Sequence, residues 1–182
     1  PAAGAAQKAT TVIPIVMASV GDPVVGGFVK TLAHPGGNVT GVSNLASELG
    51  PKHLEMLMSM VPRLTRVAVL TNPDNPGSIR QLKNIQAAAR KSGVTILSVE
   101  ARTMQEIENA FSMMAQKKAG AVILAPDGLF SSQASRIVEL AAKGRLPTIA
   151  QNRVSAEAGV LLGYGPNLGG QLRRAATYVD KI

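Results

Sequence analysis

Arg66-Val-Ala-Val-Leu-Thr-Asn-Pro-Asp-Asn-Pro-Gly-Ser78 is the stretch on which the fold turns. Val67, Ala68, Val69 and Leu70 form an unbroken apolar run, closed by Thr71-Asn72-Pro73. A strand with water on one face alternates apolar and polar residues, so a continuous run reads as a strand covered on both faces. Behind the Pro-rich turn, Ser78, Leu82, Ile85 and Ala89 recur at helical spacing, and Gly93 supplies the stop. A buried strand followed by a helix is the repeating unit of a parallel sheet.

The unit recurs on both sides of this stretch. Val94 to Val99 reads as the next strand. Thr103 and Glu106 then form a capping box ahead of a helix with Met104, Ile107, Phe111 and Met114 on its apolar face. Ala121 to Leu124 is a third buried strand, closed by Pro126-Asp127-Gly128, and a helix through Ile137, Val138 and Ala141 ends at Gly144. Leu146 to Ala150 and Val160 to Leu162 read as the fourth and fifth strands. Upstream, Leu54, Leu57, Met58 and Val61 mark another amphipathic helix with Pro51 in its first turn. The expected fold class is α/β, a doubly wound parallel sheet.

The two ends do not fit inside that unit. Ile13 to Met17 reads as a further buried strand, followed by Ser19-Val-Gly-Asp-Pro23 and a helix through Phe28, Val29 and Leu32. The turn chemistry of His34-Pro-Gly-Gly-Asn38 stops that helix. Leu168 to Ile182 reads as one more helix. A strand and two helices do not sustain a sheet domain alone. Residues 1–39 are therefore expected to be a remnant of lobe I, residues 40–163 a complete lobe II, and residues 164–182 a crossover and helix returning to lobe I. Pro1 to Ala9 lacks a buried period and reads as frayed helix or linker.

Composition narrows the function classes. The 182 residues hold 46% hydrophobic but only 3% aromatic residues, which favours helix-on-sheet packing. No apolar run approaches the ~18 residues that span a bilayer. The start carries neither a basic n-region nor an h-region, as expected after removal of an export signal. The absence of cysteine excludes disulfides, thiolate nucleophiles and Cys-ligated metals. A net charge of +8 invites a nucleic-acid reading. Its cations stand singly or in pairs such as Lys117-Lys118 and Arg173-Arg174, with no interleaved aromatics to stack on bases. A solvated basic surface is the better reading, and no nucleic-acid partner is expected.

Ligands of doubly wound sheets sit outside the carboxyl ends of the strands. The residues placed there are mostly polar and uncharged. Ser19, Asp22, Asn72, Asn75, Ser78, Asp127 and Tyr164 are the candidate ligand-binding residues, with Asp74, Glu100, Arg102, Gln151 and Asn152 beside them. Between Thr71 and Ser78, exposed N–H groups at a helix start would suit an anion such as a carboxylate, or the loop only caps its helix. Asp127 would suit an ammonium, or it is a turn residue before Gly128. Asp22 reads foremost as a cap, with Pro23 opening the next helix.

Catalytic patterns are missing from this sequence. Gly163-Tyr-Gly165-Pro-Asn-Leu-Gly-Gly170 has G-x-G-x-x-x-G spacing and closes the strand series, which fits a connection between lobes better than a dinucleotide loop. There is no Walker A sequence and no G-x-S-x-G elbow. The two histidines, His34 and His53, lie before a Pro-Gly turn and within a helix. No catalytic residue, metal or cofactor is expected, and Met56, Met58 and Met60 read as packing, with Met58 on the apolar face.

Several segments together resemble the ABC transporter substrate-binding protein family that includes tryptophan- and aromatic amino-acid-binding members. They are Ile13-Pro-Ile-Val-Met-Ala-Ser-Val-Gly-Asp-Pro-Val24, Leu32-Ala-His-Pro-Gly-Gly-Asn-Val-Thr-Gly-Val-Ser43 and Arg66-Val-Ala-Val-Leu-Thr-Asn-Pro73 with Asn75-Pro76. Tyr164-Gly-Pro-Asn-Leu168 and Arg174-Ala-Ala-Thr-Tyr-Val-Asp-Lys-Ile182 complete the set, in consistent order along nearly the whole chain. The resemblance implies a type I periplasmic-binding fold whose two lobes close on a small solute, with crossings near Asn38 to Ser43 and near Leu162 to Pro166. It also implies chain missing at both ends, an inner-membrane ABC permease as partner, and a periplasmic or extracytoplasmic place, lipid-anchored or soluble. The expected solute is an amino acid or related small organic molecule, with Phe130 and Tyr164 available to an aromatic ring. Exposed edges of lobe I would let the isolated chain dimerise. The rival expectation is a ligand-sensing domain of a transcription regulator or receptor with the same fold.

Overall fold

The computed structural model describes residues 2–44 and 46–182, so Pro1 and Leu45 lie outside it. In chain order the elements are helix α1 (Ala2–Ala9), strands β1 (Ile15–Val20) and β2 (Val39–Ser43), and a 3-10 turn at Ala46–Leu49. Next come α2 (Gly50–Met60), β3 (Arg66–Thr71), α3 (Pro76–Ser92), β4 (Thr95–Glu100), α4 (Met104–Gln116) and β5 (Ala121–Leu124). The chain ends with α5 (Gly128–Ser132), α6 (Ala134–Lys143), β6 (Thr148–Ala150), α7 (Arg153–Ala158), β7 (Leu162–Gly163) and α8 (Leu168–Val179). They fall into two units, residues 46–165 and residues 1–45 with 166–182.

The larger unit is a five-stranded, all-parallel sheet in the order β4-β3-β5-β6-β7. Because β3 and β5 are covered on both faces, their residues divide by parity. Val67, Val69 and Ile123 pack with Leu54 and Leu57 of α2 and Leu82 and Ile85 of α3. Ala68, Leu70, Val122 and Leu124 pack on the other face against Ile107, Phe111 and Met114 of α4 and Ile137 of α6. This is the doubly wound arrangement read from the unbroken apolar runs.

Local signals set the helix ends. Asn75 caps α3, its side chain accepting from the Gly77 N–H, Pro76 opens the first turn, and Gly93 closes the helix with φ +72°. At α4, Thr103 accepts from the Glu106 N–H at 3.2 Å, while the Glu106 carboxylate accepts from the Arg102 N–H at 2.7 Å. The reciprocal bond of the capping box thus falls one residue ahead of the cap. One expectation for α2 needs correction. Met58 is exposed, and the buried stripe is Gly50, His53, Leu54 and Leu57, because His53 takes the position that hydropathy assigned to methionine.

The smaller unit has β1 paired in parallel with β2, with a register shift between Met17 and Val20. Since β2 pairs with β1, residues 40–43 belong to this unit. Gly41, at φ +137°, lies flat against the Met17 backbone, where a Cβ would meet the Met17 carbonyl oxygen. The helix expected through Phe28, Val29 and Leu32 does not form. The Asp22 side chain accepts from the Val24 and Val25 N–H groups at 3.0 and 3.1 Å, which starts a turn. The chain then passes through Gly27 at φ +69°, a left-handed conformation that ends a helix. Ala2–Ala9 is helical instead, with no buried residue. No described helix is long and apolar enough to cross a membrane.

Candidate functional site

In the larger unit the chain leaves β3 for β4 on one side, and β5 lies on the other. The loops after β3 and β5 therefore diverge, which is the topological switch point where open α/β sheets take their ligands. A short network spans that divide. The Asn75 side-chain amide donates to the Pro126 carbonyl and to Asp127 Oδ2, both at 2.8 Å, while its oxygen accepts from the Gly77 N–H at 3.0 Å. Asp127 Oδ1 accepts from the Leu129 N–H at 2.9 Å, capping α5. Ser78 is fully buried and donates to the Pro126 carbonyl at 3.1 Å. Asn72 closes the loop, its side chain accepting from the Asp74 N–H at 3.1 Å.

Four of the seven candidate residues, Asn72, Asn75, Ser78 and Asp127, thus gather at one switch point. Each carboxylate oxygen of Asp127 has accepted a single bond, so lone pairs remain for a further donor. The Ser78 hydroxyl is turned inward, linking the two loops. Arg102 lies at the same sheet edge, 3.5 Å from Asp74 and 4.0 Å from Glu100, all three well exposed.

Ser19 and Asp22 lie in the smaller unit. The Ser19 hydroxyl donates to Gln171 of α8 at 2.8 Å and accepts from the Asn44 amide at 2.8 Å. Gln171 and Asn44 gave no signal in the sequence, because only the β1–β2 pairing and the return of α8 bring them to Ser19.

Tyr164 follows β7, its N–H bonded to the Ala150 carbonyl at 2.8 Å. Its carbonyl meets His53 Nε2 at 2.7 Å, and the two rings sit edge to face, 6.1 Å between centroids. His53 is fully buried, and burial pushes its pKa below the ordinary histidine value, only partly opposed by the bond to Tyr164. The neutral ring donates from Nε2 to the Tyr164 carbonyl, and Nδ1 faces the Gln81 amide nitrogen at 3.4 Å. A histidine among Leu54 and Leu57 was the one available sign of this buried polar contact. Phe130, by contrast, packs in the core beside Leu124 and Ile137, so its ring is not presented at the sheet edge.

Among the described residues no cluster of histidine and carboxylates could hold a metal ion. The arrangement offers hydrogen-bond donors and acceptors and a single well-placed carboxylate.

Known proteins give this geometry its context. A family model for ABC transporter substrate binding protein matches residues 1–182. The tyrosine-binding protein of Clostridioides difficile (strain R20291) is 32% identical over 161 residues, 88% of this chain and 46% of that protein. The ABC domain from Streptococcus pneumonia solved in complex with L-Trp aligns at TM-score 0.84 and 24% identity, over 100% of this chain and 61% of that one. A conserved domain protein from Vibrio cholerae aligns at TM-score 0.87 and 24% identity, over 98% and 60%. These two carry the fold, a type I periplasmic-binding-protein-like α/β arrangement, of which the chain spans about three-fifths. The family match extends over every residue read above, and this chain belongs to the ABC transporter substrate-binding protein family.

Proposed function

We propose that this chain is the solute-capturing part of an ABC importer and that its solute is an amino acid, handed to a membrane permease without chemical change. The observation that carries this reading is the switch-point network, in which Asn75 holds Asp127 at 2.8 Å beside the start of α3. A zwitterion suits such a place, its ammonium meeting the carboxylate and its carboxylate meeting the positive helix end. Tyr164, about two-fifths exposed, offers an aromatic surface, and the relative that binds tyrosine makes an aromatic side chain the first choice. Binding can drive closure only through contacts that differ between open and closed states. Asn72, Asn75 and Asp127, together with Ser19 and Asp22, are the residues assigned to those contacts, while Ser78 supports them from within.

The family match along the whole chain favours this reading over a regulator's sensing domain. It also implies an extracytoplasmic protein, soluble or lipid-anchored. Unpaired edges of the β1–β2 sheet would let the isolated chain self-associate.

The test is calorimetry and thermal shift on the full-length protein with L-tyrosine, L-tryptophan and small aliphatic amino acids. A bound solute at 100 times its Kd adds about 2.7 kcal/mol of stability. Asp127→Ala is expected to weaken binding by one to two orders of magnitude, in keeping with the loss of a charged hydrogen bond. Failure of every amino acid to bind overturns the solute class. Conversion of the solute, seen by NMR, overturns binding without turnover.

A further inference from the structure

All strands of the larger unit are parallel and aligned, so the connections from helix to strand collect at the end of the sheet opposite the switch point. That end is strongly charged. Arg63, Lys118 and Arg145 lie in the connections that precede β3, β5 and β6, and all three are exposed. They have φ of +58°, +54° and +50°, and they are the only described residues other than glycine at positive φ. Such a conformation is easiest for glycine. Gly93, at φ +72°, occupies it in the connection before β4, and Gly159, at φ +112°, ends the helix in the connection before β7.

Further cations surround these three. Arg66 opens β3, Lys117 precedes Lys118, and Lys143 ends α6. Arg90 and Lys91 stand in the last turn of α3. The array thus holds eight cations, and residues 61–66, 89–94, 117–120 and 142–147 contain no carboxylate. None of the eight enters an ion pair among the described residues, whereas five of the six cations elsewhere in the unit do: Lys52, Arg80, Arg102, Arg136 and Arg153, with Lys83 the exception.

A cation in the last turn of a helix offsets the negative end of the helix dipole, which accounts for Lys143 or Arg90. It does not account for arginine and lysine at three sites where glycine is easier. Retaining charge at a conformational cost points to a role for the charge itself.

We propose that this end of the sheet is a docking surface for an anionic phospholipid bilayer. The cations come from four separate connections. Strands ~4.8 Å apart and helix layers ~10 Å to either side spread them over an area some 15 to 20 Å across. A diffuse array of cations outside any ion pair, seven of them exposed and Arg66 half-buried with its guanidinium on the Lys117 carbonyl, complements the diffuse charge of lipid headgroups. Nucleic acid is the poorer match, since no aromatic residue stands among the cations to stack on bases. The switch point lies at the other end of the strands, so a molecule held this way keeps its candidate solute site away from the lipid. The importer reading supplies only the reason that a membrane is at hand; the charge array stands without it.

The experiment is co-sedimentation of the full-length protein with vesicles of phosphatidylcholine alone or containing phosphatidylglycerol, without solute or permease. Binding is expected only with the anionic lipid and is expected to fall as salt rises. The variant R63G/K118G/R145G removes three charges while easing the backbone, so its Tm should be unchanged or raised. Its vesicle affinity should drop about fivefold per cation, on the order of 100-fold in all. K52Q/K83Q/R153Q lowers net charge equally from elsewhere in the larger unit, outside the helix-to-strand connections, and should bind within about threefold of the unaltered protein. Equal binding to neutral vesicles, no binding to anionic ones, or equal losses in the two triple variants would each overturn the proposal. So would a permease that binds the protein through these three residues when anionic vesicles do not, since the partner would then be an acidic protein surface. Solute binding by the glycine variant, read separately, tests the importer reading without bearing on this one.

Discussion

His53 is the residue whose role the fold most changed. Its ring is sealed inside the larger unit, donating to the Tyr164 carbonyl at 2.7 Å. Burial lowers its pKa in the folded state, so unfolded chains bind the extra proton first as pH falls. The stability due to the neutral ring is complete above the unfolded value of about 6.5 and is lost progressively as pH drops toward the folded value. Urea titrations at stepped pH should show that slope, and His53→Gln, which keeps a donor but does not titrate, should flatten it. A slope that survives in the glutamine variant would remove His53 as its source. His53→Leu fills the space but leaves the carbonyl unpaired, at an expected cost of about 1–3 kcal/mol.

At the scale of elements, the crossover after β7 depends on the absence of a side chain at Gly165. A Cβ there would meet the Gln151 carbonyl oxygen, with the Gln151 Cβ only 2.8 Å away. Gly165→Ala is therefore expected to push the crossover off β6, destabilising the unit by roughly 1–3 kcal/mol and raising exchange at the Tyr164 amide. Unchanged exchange at Tyr164 would show that the segment accommodates the methyl group. Elements with strong local signals were legible in advance, as with α3 between Asn75 and Gly93 or β5 at Ala121–Leu124. The failure at Phe28 to Leu32 has a local cause too. Apolar spacing suggested a helix, but Gly26-Gly27 let the chain turn away after a single turn. Gly128–Ser132 and Arg153–Ala158 are too short for periodicity to register, and the caps that the structure shows at Asp127 and Asn152 were not read as helix starts.

For the whole molecule, the two units differ in how much apolar surface they bury. The larger has two extensive clusters on opposite faces of its sheet, while the core cluster of the smaller consists of Met17, Val29 and Val39. Native-state hydrogen exchange should therefore find the amides of Val67 to Leu70 opening only with global unfolding of their unit. Those of Val16 and Met17 should exchange about 100-fold faster or more, and equal protection in the two strands would contradict this division. The parallel α/β class and the alternation of the five strands with the longer helices of the larger unit were determined by the sequence alone. Continuous apolar runs and helix caps are local, so they can be read without knowing what packs on them. Only the tertiary structure decided which polar groups meet. The Asn75–Asp127 bridge, the Ser19–Gln171 pair, the His53–Tyr164 contact and the gathering of cations from four connections join residues that strand order and packing alone bring into reach.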